Sequence, residues 1–416
     1  MHTEKLTNSE ISVLNLVRRN SKPIKKSEIS DTTDMPWASV CRVIENLEKQ
    51  FLIESNEENK AVAINSSLGY FVGVSVGSSN VKICIVDSNL QFLSREFIIN
   101  AFYKCSMHGY FEAFLKDNGF EEYKDDYEND KFARWCAKTP VDDGLKIVNL
   151  IENILKFVLR INQLGIKVLN VGVSLSGYVN DDDRPILRPL NTRVKLSKYN
   201  IEQLIEKEIL KEYTTNNIEI IFEHNVKAAA IAEIETKDSI SKDFAVLYLG
   251  AGLGASFVFN GKLYRGSNNI AGQIGHSTVQ NHVKDTDELI CACGRKNCLE
   301  ELIRVQVFGN EQLLENSTAN ELKKWLDKNP EKGILFSKYL SDLICNIRMI
   351  LGVDTIFFSG KLSTIYQAIE KPLKVLLMEK YCDGVAIIPS QFGEYSAAFG
   401  AAACSYFKYY NIPFGW

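Results

Sequence analysis

The stretch Ala271-Gly-Gln-Ile-Gly-His276, followed fifteen residues after its histidine by Cys291-Ala-Cys293-Gly-Arg-Lys-Asn-Cys298-Leu-Glu300, carries the densest chemical signal in the chain. Three thiols fall within eight residues around a glycine, a spacing that suits a soft cation. One histidine completes a Cys3His tetrahedron, and His276 and His282 are the two candidates. Reduced core cysteines account poorly for so polar and glycine-bearing a stretch. A closed Cys3His set leaves no open position for a substrate, so the expected metal is a structural zinc that fixes the loop carrying His276 and Glu300.

Outward from this segment, apolar strands alternate with amphipathic helices. Strands are expected at 70–76, 81–87, 92–98, 168–175, 218–222, 244–249, 256–259 and 355–359, and helices at 141–164, 226–235, 299–308, 336–351 and 396–406. Such interleaving gives an α/β class. Residues 101–143 are dense in aromatics and acids without a period and receive no element. The first sixty-five residues have another texture. Ile11, Val13, Leu14, Leu16 and Val17 mark one helix, 25–29 a short second, 31–34 a polar turn, and Val40, Val43, Ile44 and Leu47 a third helix that starts at Pro36. Strands at 52–54 and 61–64 close a hairpin, which completes a winged helix-turn-helix pattern whose third helix enters the major groove.

A length of 416 residues fits two to three domains. With 48 Lys and Arg against 52 Asp and Glu, the chain is no polycation, so any nucleic-acid contact must come from a local surface. Residues 1–60 hold nine basic and ten acidic side chains, and distribution matters more than the sum. Arg18, Arg19, Lys22, Lys25 and Lys26 cluster where phosphate contacts would position the protein. Trp37, Ala38, Ser39, Cys41 and Arg42 occupy the start of the third helix; Ser39 and Arg42 are the expected base readers, and Lys60 reaches out from the hairpin. Weak charge implies dimerisation to read two half-sites. The longest uncharged stretch, 61–81, is broken by polar residues and glycines, so no membrane helix is expected. A polar start without an apolar signal region and ten scattered cysteines point to the cytoplasm.

The paired signature from Ala271 to Glu300 resembles that of the ROK family (repressors, open reading frames, sugar kinases), and the wider pattern covers nearly everything after residue 68 except 101–143. Gly73-Val-Ser-Val-Gly77 resembles that family's first phosphate loop, Val171-Gly-Val-Ser-Leu-Ser-Gly177 its sugar-side loop, and Glu223-His224-Asn225-Val226 its catalytic segment. Leu249-Gly-Ala-Gly-Leu-Gly254 resembles the second phosphate loop, and Phe358-Ser-Gly-Lys361 with 397–403 the nucleotide-side elements. The resemblance implies two actin-like α/β lobes around a sugar cleft. It also implies that Asn225, Gln273, His276 and Glu300, with His224 beside them, meet sugar hydroxyls, and that His276 joins the three cysteines on zinc.

Departures from the pattern weigh against catalysis. The kinases place an Asp where Asn225 stands, and an amide cannot take the hydroxyl proton usefully at neutral pH. Ser75 replaces the first loop's Asp, Ala251 the second loop's Thr, and Ser359 a nucleotide-side Gly. The glycines of the phosphate loops then read more simply as tight turns between strands. Gln273 stands where Glu is usual, and His224 where Asn is usual, which leaves hydroxyl recognition possible.

The sequence therefore predicts a winged helix-turn-helix at 1–65, a first α/β lobe at 66–190 with an insertion at 101–143 and completion by a helix at 394–416, and a second lobe with the zinc loop at 191–393. The expected function is a sugar-responsive transcriptional regulator, a repressor of carbohydrate metabolism, that binds operator DNA and a sugar or sugar phosphate as a homodimer or homotetramer. It is expected to be no enzyme and to use neither ATP nor magnesium; an ATP-dependent sugar kinase with an atypical site is the alternative.

Overall fold

The computed structural model describes residues 6–20, 22–56, 60–65, 67–77, 80–94, 97, 108–118, 134–138, 144–176, 178–179, 185–186, 205, 207–235, 241–250, 252–284, 288–291, 293–309, 313–314 and 317–412. The chain opens with α1 (Asn8–Arg19), β1 (Ile24–Lys25), α2 (Lys26–Thr33) and α3 (Trp37–Lys49), then the hairpin β2 (Ile53–Asn56) and β3 (Ala61–Ile64). Thr7 caps α1: its hydroxyl accepts from the Glu10 N–H, and its own N–H donates to Glu10 Oε2 at 2.7 Å. The polar turn expected at 31–34 shrinks to Asp34, at φ 52°, because Thr32 and Thr33 donate back to the Glu28 and Ile29 carbonyls and prolong α2. In α3, Val40, Val43, Ile44 and Leu47 face inward as their spacing requires, and the three strands pair antiparallel in the order β1-β3-β2.

Two five-stranded sheets follow. The first holds β4 (Tyr70–Val76), β5 (Asn80–Asp87), β6 (Arg134–Lys138) and β7 (Val168–Leu175); after a small pair, β8 (Tyr178–Val179) and β9 (Pro185–Ile186), it is completed by β10 (Glu219–His224). The second holds β11 (Phe244–Leu249), β12 (Leu253–Phe259), β13 (Lys262–Tyr264), β14 (Thr355–Gly360) and β15 (Ala386–Pro389). Their orders, β6-β5-β4-β7-β10 and β13-β12-β11-β14-β15, repeat one plan. In each the first strand lies centrally, two antiparallel strands run to one edge, and two parallel strands complete the other. The parallel strands need helical crossovers, supplied by Gly144–Gln163 and Lys207–Thr215 in one lobe and by Pro330–Leu351 and Lys361–Glu379 in the other.

Each sheet ends in a helix that belongs to the opposite lobe. The Ser396–Tyr409 helix, which follows the second sheet, lies on the first, where β-carbons at Gly73 and Gly172 would meet the Ala398 and Ala401 carbonyls at 2.0 and 1.8 Å. The Asn225–Ile234 helix, which follows the first sheet, packs Val226, Ala229, Ala230 and Ile234 against Phe244, Val246, Val258 and Phe357 of the second. This is the two-lobed actin-like α/β fold. The N-terminal unit is no separate bead: Ile11, Leu14, Val17 and Ile64 share one apolar cluster with Phe71, Tyr406, Phe407 and Tyr410.

Several expectations change. Among the described residues of 92–98 no extended strand forms, and Phe92 makes an isolated bridge to Val86. The helix at 299–308 is a turn at Leu299–Leu302 that widens into a π-helical turn at Ile303–Val307. The 101–143 segment holds a helix at His108–Asp117 and β6, so part of it is the edge of the first sheet. The Lys361–Glu379 helix, with Pro372 inside it, was not expected at all. Gly177 and Ala251 lie outside the described residues. No described helix is long and apolar enough to cross a membrane.

Candidate functional site

Cys291 opens a tight knuckle in which the Gly294 N–H donates to the Cys291 carbonyl at 2.8 Å and the Cys291 N–H to the Arg295 carbonyl at 2.9 Å. Gly294 takes φ 84°, a conformation glycine adopts without steric cost. The turn brings the Cys293 and Cys298 sulfurs to 3.6 Å and Cys291 Sγ to 3.5 Å from His276 Nδ1. All four ligand atoms lie within 4.8 Å of one another. Zinc–thiolate bonds of about 2.3 Å place tetrahedral sulfurs about 3.8 Å apart, so this donor set fits such an ion in spacing and softness. Burial pushes the Cys298 thiol up to about 12 and raises Cys291, while burial and Arg295 lower His276. A dication among them would turn the thiols to thiolates and find the imidazole already neutral. His282 is elsewhere, with Nε2 2.7 Å from Asp342 Oδ2 and its ring against Tyr339.

This knuckle is tied to the 271–276 loop and to β12. Thr278 bridges Cys298, and the Leu299 N–H donates to the Ser277 carbonyl at 3.0 Å. Glu300, nearly buried, accepts the Leu253 N–H at 2.9 Å on Oε2. The 271–276 loop lies flush on β12, since the Ala255 N–H donates to the Gly272 carbonyl and a β-carbon on Gly272 would stand 1.8 Å from the Ala255 oxygen. His276 turns Nδ1 to the cysteines, and its buried Nε2 has no partner among the described residues. Gln273 is half-buried beside it.

The remaining expected sugar-binding residues, His224 and Asn225, lie at the junction of β10 with the Asn225–Ile234 helix. Asn225 Nδ2 donates to Ser176 Oγ at 2.9 Å, while Oδ1 accepts the Val226 N–H at 2.8 Å, which fixes the amide. Burial, then Lys227, holds His224 down to about 3, so its imidazole is neutral, and its Nδ1 lacks a partner among the described residues. Glu223 pairs with Arg265 at 2.6 Å, and the buried Lys227 ammonium donates to the Asn269 carbonyl. These contacts seat the start of the helix against the 265–276 loop.

Of the glycines expected in phosphate loops, Gly73 sits mid-strand under the Ser396–Tyr409 helix, so close packing, rather than a turn or a phosphate, explains it. Gly254 likewise faces Val226, whose Cγ2 would lie 2.8 Å from its β-carbon. Ser75 is buried in β4, and Ser359 Oγ donates to Ser396 Oγ at 2.6 Å.

At the N-terminal unit, Trp37, Ser39 and Arg42 are exposed along the first turns of α3, Trp37 by 53%. Lys60, at the tip of the β2–β3 hairpin, lies beside Lys25 and Lys26: Lys25 pairs in register with Ala61, and the Lys26 N–H donates to the Lys60 carbonyl. Arg18 and Arg19 do not join this group. Arg18 is buried, ion-paired with Glu235 and set over the Tyr406 and Phe407 rings, and Arg19 reaches the same carboxylate at 3.4 Å. Its spacing of seven from Ile11 and four from Leu14 places Arg18 on the buried stripe of α1, a signal that charge alone conceals. Lys227 and Arg265 were also missed; no motif marks them.

The ROK family model matches residues 137–406. N-acetylmannosamine kinase of Vibrio cholerae serotype O1 is 24% identical over 280 residues, which cover 65% of this chain and 90% of that protein. The xylose repressor of Caldicellulosiruptor bescii is 23% identical over 292 residues, covering 68% and 60%. The crystal structure of a ROK family transcriptional regulator, a homolog of the E. coli MLC protein, superposes with a TM-score of 0.65 at 15% identity over 97% of this chain and 98% of that one. The expectation that the chain is no enzyme does not stand, since relatives matched over most of their length are sugar kinases. The physical reason is that phosphoryl transfer rests mainly on positioning and charge neutralisation; a missing base slows the step by about 10² to 10⁴ and does not forbid it. By fold, by its Cys3His knuckle, and by a match across about two thirds of its length, the chain belongs to the ROK family.

Proposed function

We propose that the chain is a sugar-responsive DNA-binding regulator, a repressor of carbohydrate metabolism acting in the cytoplasm as a homodimer or homotetramer. Residues 1–65 form a winged helix-turn-helix; 66–190 with 394–416, and 191–393, form the lobes that bind a hexose, N-acetylhexosamine or sugar phosphate through Asn225, Gln273, His276, Glu300 and His224. Structural zinc is held by His276, Cys291, Cys293 and Cys298. Carrying this reading is the exposed row of Trp37, Ser39 and Arg42 on a third helix, with Lys25, Lys26 and Lys60 beside it, all fused to the sugar lobes. A near-complete switch requires the sugar to prefer one interlobe arrangement by about 10⁴-fold. Anisotropy of a labelled duplex from upstream of the chain's own coding region, titrated at several salt concentrations with and without sugars, tests it. Absence of saturable, salt-sensitive binding sinks the regulator reading.

The second reading is an ATP-dependent sugar kinase, and the names of the curated relatives favour it over the first. A coupled ADP-release assay across hexoses and N-acetylhexosamines decides it: turnover lost in Asn225→Ala supports a kinase, and no turnover on any sugar that binds counts against one.

A further inference from the structure

Arg18 is 3% exposed, whereas Lys22, Lys25, Arg42 and Lys60 of the same unit are exposed. Its guanidinium meets Glu235, which caps the C-terminal end of the Asn225–Ile234 helix, and Arg19 meets the second oxygen of that carboxylate. A carboxylate at a helix C-terminus opposes the helix dipole, so Glu235 does not serve its own helix. Nor is a buried ion pair a strong source of stability; its best-attested use is to fix register between elements. Every residue of the Asn225–Ile234 helix is buried. Its first turn is held at the cleft, through Asn225 on Ser176 and Lys227 on the Asn269 carbonyl of the loop that carries Gln273 and His276. The helix thus runs about 15 Å from the sugar-facing wall to the N-terminal unit, with a polar clamp at each end.

We infer that the Asn225–Ile234 helix is the link by which occupancy of the cleft resets the N-terminal unit, with Arg18 and Glu235 as its output clamp. The inference rests on the sugar-responsive reading of the cleft and adds the route. When the 265–276 loop closes on a ligand, Lys227 draws the first turn with it. Because the helix lies backbone to backbone with its neighbour and has no solvent-facing side, the displacement passes to Glu235 rather than dissipating. The Arg18–Glu235 pair then moves α1, and with it α3.

The test uses the full chain with Arg18→Met and Glu235→Met together, since removal of both charges leaves no uncompensated buried ion, alongside Arg18→Gln alone. Amide exchange over α1 and α3 is followed with and without saturating D-glucose, N-acetyl-D-glucosamine, N-acetylmannosamine or D-xylose, and duplex affinity is measured in the same samples. In the wild type, a sugar that raises the thermal midpoint changes exchange in α1 by about fivefold or more. In the double variant the thermal shift by that sugar persists, sugar-free duplex affinity stays within about twofold, and the α1 response disappears. A double variant that keeps the wild-type response, or a wild type whose α1 is unmoved by a bound sugar, overturns the link. An intact α1 response with no duplex binding would remove the regulator reading and leave the link standing.

Discussion

Gly400 lies so close to Ala228 that a β-carbon on it would meet the Ala228 carbonyl oxygen at 1.7 Å. The helices exchanged between the lobes therefore cross with no side chain between them. Replacing Gly400 with Ala must part them, and a cost of about 1–3 kcal/mol is expected in urea unfolding. Gly333→Ala, in a helix where the nearest atom is 3.8 Å away, serves as the control and should be neutral or stabilising. Equal midpoints for the two variants would refute the close crossing.

Protein purified without added metal is expected to carry one zinc per chain by mass spectrometry. Cys298→Ser should lose most of it and lower the thermal midpoint, because binding energy at such a site is folding energy. Full occupancy in that variant would remove Cys298 from the ligand set.

Asn225→Asp places a carboxylate where the amide now bonds Ser176. Ser176 can donate to it, so the geometry survives while a general base is supplied. ADP release with the bound sugar should rise by about 10² or more. No change would show that the base is not what limits phosphoryl transfer here.

Glu233 is 1% exposed, and burial raises its carboxyl from 4.5 to about 7 against the bond donated by Ser390. The folded state thus keeps this proton to a higher pH than the unfolded chain. Its contribution is whole below about pH 4.5 and is lost as pH rises through about 7, on the order of 3 kcal/mol. Glu233→Gln should flatten the fall in unfolding free energy across that window. A wild type and variant with parallel pH profiles would show that the carboxyl is not so shifted.

Arg42→Ala is expected to weaken duplex binding by about 1–3 kcal/mol and relax discrimination at one base pair. Lys60→Ala should weaken all duplexes alike and reduce the salt slope by about one. If Lys60→Ala instead changes sequence preference, the hairpin reads bases.

The knuckle was legible in the sequence because its chemistry is local: Cys291, Cys293, Cys298 and a Gly294 turn need only their own backbone, and His276 is brought in by a short bridge beside Cys298. The third helix was legible because Val40, Val43, Ile44 and Leu47 repeat with the helical period. Long-range facts were not. Gly73 is required by a carbonyl more than three hundred residues away, at Ala398, and no local pattern distinguishes that need from a phosphate loop. Arg18 has the charge of a phosphate contact, but its partner is Glu235, more than two hundred residues away. What the identity of Asn225 means for chemistry depends on Ser176, Lys227 and Arg265, which spacing does not reveal.

The N-terminal unit rests on Tyr406, Phe407 and Tyr410, residues made at the other end of the chain. During synthesis, then, the first sixty-five residues emerge without the surface that completes their core, and they must wait for nearly the whole polypeptide before they are fully seated. A fragment cut near residue 65 would leave Val17 and Ile64 exposed to water and Arg18 without its carboxylate. The N-terminal unit completes its core only in a molecule that already has both lobes.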